Sequence, residues 1–392
     1  MDRKRIPGGP LAGVMAGLLM CAAPAGASPG AEAPASGTDW ARFGQSLADA
    51  NRRIHNESDA SLDPQQRAEI DRTMLWMLAA GIMAIDRLDP AHPDFVPVIN
   101  STLLFGAPNP DTVYYITKVD GNGRYLLSGR RGTSKVADIQ FMAKMFGFDK
   151  TVDRTLANLN LDDLAINRDG TFSVMLSASR PADYKGNWYP LDPRTRYLFV
   201  RQIATDWLHE RDAEIGIARL DPQASQPRPS PADIASEYDR IASFAEDFMR
   251  SMMRQDARHA SDPVNDVKLF DVSTSGGNLN QAYYSGRYIL KDDEALLMEL
   301  VPPKDCGYWS VQLEDRLMNS IDYSFHQSSL NNFTAVPDRD GVVRFVLTRN
   351  DPGVANWIDT AGYEHGYVLG RYYGCKTTPV PTVKKIQVQS TD

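Results

Sequence analysis

The sequence predicts a mainly β protein with additional α-helices, built as two similar antiparallel β-sandwich domains of jelly-roll type that arose by internal duplication. The main observation is a repeat, in which short words recur 169 to 171 residues apart. Tyr-Tyr occurs at 114 and 283, Asp-Gly at 169 and 340, Asn-Trp at 187 and 356, and Arg at 201 and 371. The second observation is that both copies consist of short apolar or β-branched runs separated by turn residues, as expected of strands.

The first 27 residues have the features of a secretory signal peptide. Basic residues at 3–5 precede an apolar run at 11–23, and Ala25-Gly26-Ala27 has the small residues of a cleavage site. Cleavage near Ala27 would deliver the chain to the periplasm or the medium. An alternative is lipidation at Cys21, although Met20 is bulky where a small residue is usual.

Helices are expected before and between the β blocks. Residues 28–94 should form a flexible leader followed by N-terminal helices, one of them beginning at Asp63-Pro64. Residues 206–269 should form a helical connector, in which Ser230 and Asp233 make a capping box.

The β blocks are expected at 95–205 and 270–376, followed by a tail at 377–392 with a possible edge strand. Within the first block, residues 139–161 lack strand alternation and predict a short helix or a loop insertion.

Charge and hydropathy exclude two classes of partner. The net charge of −8 and the pI near 5.4 argue against nucleic-acid binding, which requires a basic face. The apolar stretch of the first helix, at 74–85, is too short to cross a bilayer, so no integral membrane span is expected.

The second block resembles the domain-of-unknown-function 1214 family in the words Trp309-Ser310-Val311-Gln312-Leu313, Asp340-Gly341, Asp351-Pro352-Gly353, Asn356-Trp357 and Arg371-Tyr372. The first block, with Asn109-Pro110-Asp111-Thr112-Val113-Tyr114, resembles the 1254 domain that usually precedes it. The resemblance implies a tandem β fold and frequent export. It implies no reaction and no catalytic residues.

Export and parity together predict a disulfide. After loss of Cys21 with the signal peptide, the chain retains Cys306 and Cys375, an even pair in an oxidising compartment. The alternative is two unpaired buried thiols.

Residues present in only one copy are the better catalytic candidates, because a duplicated scaffold does not need them. The segment from Asp322 to His326 offers His326 as acid or base, Asp322 to orient it, and the phenol of Tyr323. Strand alternation would place 322, 324 and 326 on one face. The alternative is an ordinary surface histidine.

The repeated polar and aromatic residues are candidates for substrate binding. Arg201 and Arg371 could each hold a carboxylate, with Trp188 and Trp357 as apolar walls. The alternative is that they are scaffold. Asp111 is a further candidate, and its alternative is an Asx turn that leads into a strand.

Motif searches favour no cofactor and no metal. The chain has no nucleotide-binding glycine motif and no Gly-x-Ser-x-Gly, and its six histidines lack ligand spacing. We therefore expect an exported, cofactor-independent enzyme of hydrolase or lyase type, acting by acid–base chemistry in the second β domain on a small or oligomeric polar substrate that resembles a sugar or a carboxylate. The alternative is a non-catalytic periplasmic ligand-binding or envelope-assembly protein. Oligomer formation is compatible with the sequence.

Overall fold

The computed structural model describes residues 40–388 without 61, 146–147, 150, 224 and 272–275. These residues contain three α-helices and seventeen strands. The expected signal peptide, its cleavage site and Cys21 lie outside these residues. Within the described residues, no helix is long and apolar enough to cross a membrane.

Two of the three helices in the described residues begin where their capping patterns predict. The helices are α1 (Trp40–Glu57), α2 (Pro64–Arg87) and α3 (Pro231–Arg258). Asp63 caps α2 and Ser230 caps α3, each in a capping box with a proline in the first turn. The helices pack on one another through apolar faces that include Met77, Phe244 and Phe248, so they form one layer.

The first copy is a sandwich of two four-stranded sheets. Its strands are β1 (Thr112–Lys118), β2 (Tyr125–Arg130), β3 (Val136–Met142), β4 (Ala157–Asn160), β5 (Thr171–Ser177), β6 (Asn187–Pro190), β7 (Tyr197–Ile203) and β8 (Glu214–Arg219). The inner sheet has the order β1-β7-β3-β4 and the outer sheet the order β6-β5-β2-β8.

Two segments of this sandwich differ from the expectation. Residues 139–142 are the second half of β3. Every residue of β3 is buried, so its sequence lacks the alternation of apolar and polar residues that indicates a strand. The strand β8 carries the sandwich beyond 205, into the segment expected to be helical.

The second copy repeats this plan. Its strands are β9 (Lys268–Phe270), β10 (Gln281–Ile289), β11 (Glu294–Leu300), β12 (Cys306–Glu314), β13 (Ser329–Asn331), β14 (Val343–Thr348), β15 (Trp357–Asp359), β16 (His365–Cys375) and β17 (Thr382–Gln387). The inner sheet has the order β13-β12-β16-β10-β9 and the outer sheet the order β15-β14-β11-β17. The tail thus supplies β17 as an edge strand beside β11.

Strand register confirms the internal duplication. Tyr114 lies opposite Arg201 across β1 and β7, and Tyr283 lies opposite Arg371 across β10 and β16. The repeated Asn-Trp words lie at the start of β6 and β15. These two strands are the edge strands of the outer sheets and pair in parallel, whereas the other paired strands are antiparallel.

In each copy a short segment contacts the other copy, just before β1 in the first copy and just before β10 in the second. We call these segments the arms, residues 106–109 and 276–278. The amide Nε2 of Gln312 in the second copy donates to a carbonyl of the first arm at 3.2 Å, and the equivalent Nε2 of Gln140 in the first copy donates to a carbonyl of the second arm at 2.7 Å. The two copies therefore hold each other by reciprocal contacts.

An asparagine ends each arm and is buried in the opposite copy. Asn109 donates to the phenol oxygen of Tyr308 at 2.7 Å, and Asn278 donates to a carboxylate oxygen of Asp138 at 2.5 Å. Because each asparagine satisfies a buried polar group of its neighbour, the arms are part of both cores.

The predicted disulfide is confirmed. Cys306 and Cys375 lie opposite each other on β12 and β16 and are bonded, which closes a sequence separation of 69 residues within the second copy.

Candidate functional site

A central cavity of about 690 Å³ lies between the two inner sheets and beneath the helical layer. Both copies contribute to its wall, as do α2, α3 and both arms. Apolar side chains line one part of the wall, including Phe105, Phe244, Phe248 and Met142, whereas the end of α3 contributes polar and basic side chains: Ser251, Arg254, Gln255, Arg258 and His259. A large cavity with an apolar wall and a few converging polar groups is the usual form of a small-molecule site.

The repeated arginines converge on this cavity. Arg201 stacks over the ring of Phe199 at 4.4 Å and bonds to Gln140, while Arg371 is buried, bonds to Gln312 and donates to the carbonyl of the first arm at 2.6 Å. Both guanidinium groups act on the phenol of Tyr283, whose pKa burial raises and the two arginines lower. The two positive charges therefore share one side of the cavity.

Glu314 is the acidic group of the cavity wall. It ends β12, its side chain lines the cavity, and only 3% of the residue is exposed. Burial raises the pKa of its carboxyl to about 7, against the opposing attraction of Arg371. Among the described residues, its carboxylate accepts a hydrogen bond from Gln312, at 3.1 Å.

Glu314 has no acidic counterpart in the first copy. Gln140 and Gln312 both bond to the repeated arginines, and two residues after them stand Met142 and Glu314. The duplication therefore preserves the glutamine and the arginine, while the acid is present only in the second copy. The sequence contains this asymmetry as Gln-Phe-Met against Gln-Leu-Glu, but the two words can be aligned as strand residues only when 139–142 is recognised as part of β3.

Asp111 lies beside the cavity rather than in its wall. Its carboxylate accepts hydrogen bonds from Tyr308 at 2.7 Å, Asn331 at 2.8 Å and Trp207 at 2.9 Å. Burial raises its pKa to about 6, although these three donors favour the ionised form. Asp111 therefore joins the two copies as a buried polar hub, and its predicted role in substrate binding stays a prediction.

His326 lies in a separate, smaller cleft together with Tyr323. Residues 322–326 form a turn, in which the backbone N–H of His326 donates to the carbonyl of Asp322 at 3.1 Å, so the expected strand alternation is wrong. The carboxylate that holds the imidazole is Asp359, 2.7 Å from Nδ1, whereas Asp322 accepts from the backbone N–H of Ser324. The turn carries the Asp322 carboxylate away from the ring.

Trp188 and Trp357 are parts of the outer sheets and do not line the central cavity. Each indole N–H bonds to a neighbouring strand of its own sheet, to the hydroxyl of Ser177 at 3.0 Å and to the carbonyl of Thr348 at 2.9 Å. These matched contacts favour the scaffold interpretation and place both tryptophans away from Arg201 and Arg371.

Asn187 and Asn356, which precede the tryptophans, hold backbone. The first asparagine bonds to both the N–H and the carbonyl of Ala165, and the second does the same to Val336. Each Asn-Trp word therefore fixes one loop to the edge of its outer sheet.

A wider surface cleft, of about 880 Å³, lies between the helices and the second copy. It is lined by many carboxylates, several of which are engaged: Arg316 pairs with Asp256 at 2.9 Å, and Asp315 is held by Asn319. Across the described residues, no group of three or more His, Cys, Asp or Glu side chains could hold a metal ion.

Comparisons with known proteins match both copies. The family model described as "Protein of unknown function (DUF1214)" matches residues 111–206 and 290–377. The first block, whose words resemble the 1254 domain, thus matches the 1214 model as well. A crystal structure of an uncharacterised protein from Burkholderia cenocepacia has a TM-score of 0.81 and 31% identity, covering 89% of this chain and 96% of that chain. One from Vibrio parahaemolyticus has a TM-score of 0.44 and 13% identity, covering 87% and 100%. No curated protein matches the chain.

Proposed function

The chain belongs to the DUF1214 family and carries its domain twice, and we propose that the cavity between the two domains is the active site of an exported enzyme. In this proposal Glu314 performs acid–base chemistry on a small carboxylate that is bound between the copies. The observation that carries the proposal is a buried carboxyl of raised pKa on the wall of a cavity that also contains the two repeated arginines, Arg201 and Arg371.

The pair of arginines supports a carboxylate as the substrate. A guanidinium group binds a carboxylate through two parallel hydrogen bonds, and the low dielectric of a buried site strengthens that contact. Arg201 is the more accessible of the two, since Arg371 already bonds to Gln312 and to the first arm. We therefore assign anchoring of the carboxylate to Arg201 and charge stabilisation near Glu314 to Arg371.

The apolar wall supports a substrate with a hydrophobic body. Phe244, Phe248 and Met142 line one part of the cavity, and a polar chain placed against these three side chains would lose its hydration without gaining hydrogen bonds. A carboxylate with a short aliphatic or aromatic body satisfies both sides of the cavity. Of the two substrate types expected from the sequence, a sugar or a carboxylate, the cavity therefore favours the carboxylate.

The raised pKa supports proton transfer as the role of Glu314. A group with a pKa near 7 is present in both protonation states near neutral pH, which is the condition for an efficient acid or base. In a lyase reaction, the ionised carboxyl would take a proton from the carbon next to the substrate carboxylate, and Arg371 would stabilise the negative charge that develops there. The electron pair of the broken C–H bond would then form a double bond to the adjacent carbon and expel the leaving group from that carbon.

The experiment is a ligand screen followed by a turnover assay. Purified mature protein is screened by thermal shift against mono- and dicarboxylates with aliphatic or aromatic bodies, and each ligand that binds is incubated and followed by NMR. We expect Arg201→Met to weaken binding at least tenfold and Glu314→Gln to abolish turnover while binding is retained. Glu214→Gln, an exposed change on β8, is the matched control and should alter neither.

Two outcomes would count against the enzyme. Ligands that bind without any turnover would favour the non-catalytic binding protein, and turnover that survives in Glu314→Gln would remove this residue from the mechanism.

Export forms part of the same proposal and is supported by the disulfide. The mature protein should be recovered from the periplasm or the medium with an N-terminus near residue 28, as read by mass spectrometry. A lipid attached to Cys21 would instead support the lipoprotein alternative, and an intact leader in the cytoplasm would contradict export.

A further inference from the structure

A second cleft, of about 360 Å³, lies between the two copies on the surface, apart from the central cavity. Its walls are residues 205–208, which follow β7 in the first copy, and residues 323–334, which lie around β13 in the second copy. Three aromatic residues line it, Trp207, Tyr323 and Phe333, and we call it the aromatic cleft.

Trp207 is exposed and yet fixed in orientation. The residue is 53% exposed, while its indole N–H donates to the buried carboxylate of Asp111 at 2.9 Å. Asp111 is itself held by Tyr308 and Asn331. A large aromatic ring that is anchored at its edge keeps its face open to a ligand and loses little conformational entropy on binding.

The other aromatic residues extend this platform. The ring of Tyr323 meets that of Trp207 edge to face, with centroids 6.4 Å apart. Phe333 is 59% exposed, and its backbone N–H is fixed by the side chain of Asn331 at 2.8 Å. Exposed aromatic rings that are held by a rigid frame mark a binding surface rather than a core.

The cleft contains two carboxylates, and both are engaged: Asp111 is held by the hydrogen bonds described above, and Asp206 contacts His209 at 2.6 Å. The other polar groups suit a neutral ligand. His326 uses Nδ1 to contact Asp359, and among the described residues its Nε2 makes no hydrogen bond and remains available to a hydroxyl group. No lysine or arginine is among the described residues that line the cleft. The cleft therefore lacks the cations that distinguish the central cavity, and a carboxylate would find no counter-ion in it.

We propose that the aromatic cleft binds a neutral sugar ring of an oligosaccharide. The apolar C–H face of the sugar would lie on the open face of Trp207, with Phe333 beside it, and a hydroxyl group would bond to Nε2 of His326. Such a ring presents both an apolar face and hydroxyl groups, which is the combination that this cleft offers.

The test is binding to an array of neutral oligosaccharides built from hexoses and N-acetylhexosamines. The wild-type protein should bind at least one of these glycans, and Trp207→Ala should reduce the apparent affinity at least tenfold. Phe333→Ala, which removes an exposed ring without touching Asp111, should reduce it as well. Trp40→Ala is the matched control, because Trp40 is also exposed, at 70%, and lies on α1 away from the cleft.

Circular dichroism melting of each variant separates loss of binding from loss of folding. The proposal is overturned if the wild-type protein binds none of the glycans above the level of Trp207→Ala, or if Trp40→Ala lowers binding equally. These results are independent of the central cavity, since Arg201→Met and Glu314→Gln leave the lining of the aromatic cleft unchanged.

Discussion

Replacing Glu314 by Gln should increase the free energy of unfolding at alkaline pH. At acidic pH the increase should be small. The pKa of this carboxyl is 4.5 in the unfolded chain and about 7 in the folded protein, where burial disfavours the charge. Between these values the folded state binds more protons than the unfolded state, so the free energy of unfolding falls as the pH rises through this window. Glutamine keeps the shape and cannot ionise.

The size of the effect follows from the difference between the two pKa values. Each pKa unit corresponds to about 1.4 kcal/mol. The difference between the two states therefore amounts to about 3 kcal/mol once the carboxyl is ionised in both. Because only 3% of the residue is exposed, solvent screening removes little of this. The stability of the Glu314→Gln variant relative to wild type should thus rise by about 3 kcal/mol from pH 4 to pH 8.

The assay is urea denaturation followed by tryptophan fluorescence at each pH unit from 4 to 8, with Glu214→Gln as the control. Buried Asp111, whose pKa is also raised to about 6 by burial, is present in both proteins and cancels in the comparison. The charge of Asp315 helps to raise the pKa of Glu314, so its influence is part of the effect that is measured. A stability difference that stays constant across this range would refute the reasoning, because it would mean that Glu314 is ionised no less readily in the folded protein than in the unfolded chain.

Three further predictions concern the second candidate site, the disulfide and the arms. His326→Ala should lower the free energy of unfolding, measured by urea denaturation, by about 1 kcal/mol or less, because the contact of His326 with Asp359 is partly exposed. Turnover at the central cavity should persist in this variant, and loss of turnover would instead favour the site predicted from the sequence. Cys306→Ser should lower the free energy of unfolding by about 4 kcal/mol, the chain-entropy value for a separation of 69 residues, and an unchanged urea midpoint would contradict this. Asn109→Ala and Asn278→Ala should each lower the free energy of unfolding by about 1 to 3 kcal/mol, because each removes one hydrogen bond from a buried polar partner, Tyr308 or Asp138. An unchanged urea midpoint in either variant would contradict this.

Features that depend on local chemistry or on repetition could be predicted from the sequence. The caps of α2 and α3 are set by residues three apart, and the prolines that follow them restrict the chain in the same place. The duplication was evident because paired words recur with almost the same spacing, and strand pairing must preserve such spacing if the copies share a fold. Export and the parity of the cysteines together predict the bridge between Cys306 and Cys375, which the structure contains.

Features that depend on contacts between distant residues could not be predicted. Asp359 contacts His326 across a separation of 33 residues, whereas strand alternation in the sequence favours the nearer Asp322. The raised pKa of Glu314 results from burial between two copies, and one sequence gives no measure of that burial. A strand buried on both faces, such as β3, carries no periodic pattern and is easily taken for another element.

The exchange of arms between the copies has a consequence for the origin of the protein. Two identical chains that each inserted an arm into the other would form a closed dimer with twofold symmetry, and joining their genes would give one chain with this architecture. After fusion, the two halves of the chain can acquire different substitutions. One half could then gain an acid where the other kept a methionine, as at Glu314 and Met142. If the second half is expressed alone, its binding site for the first arm stays empty. We expect this half to form a dimer in which each molecule inserts its own arm into the other.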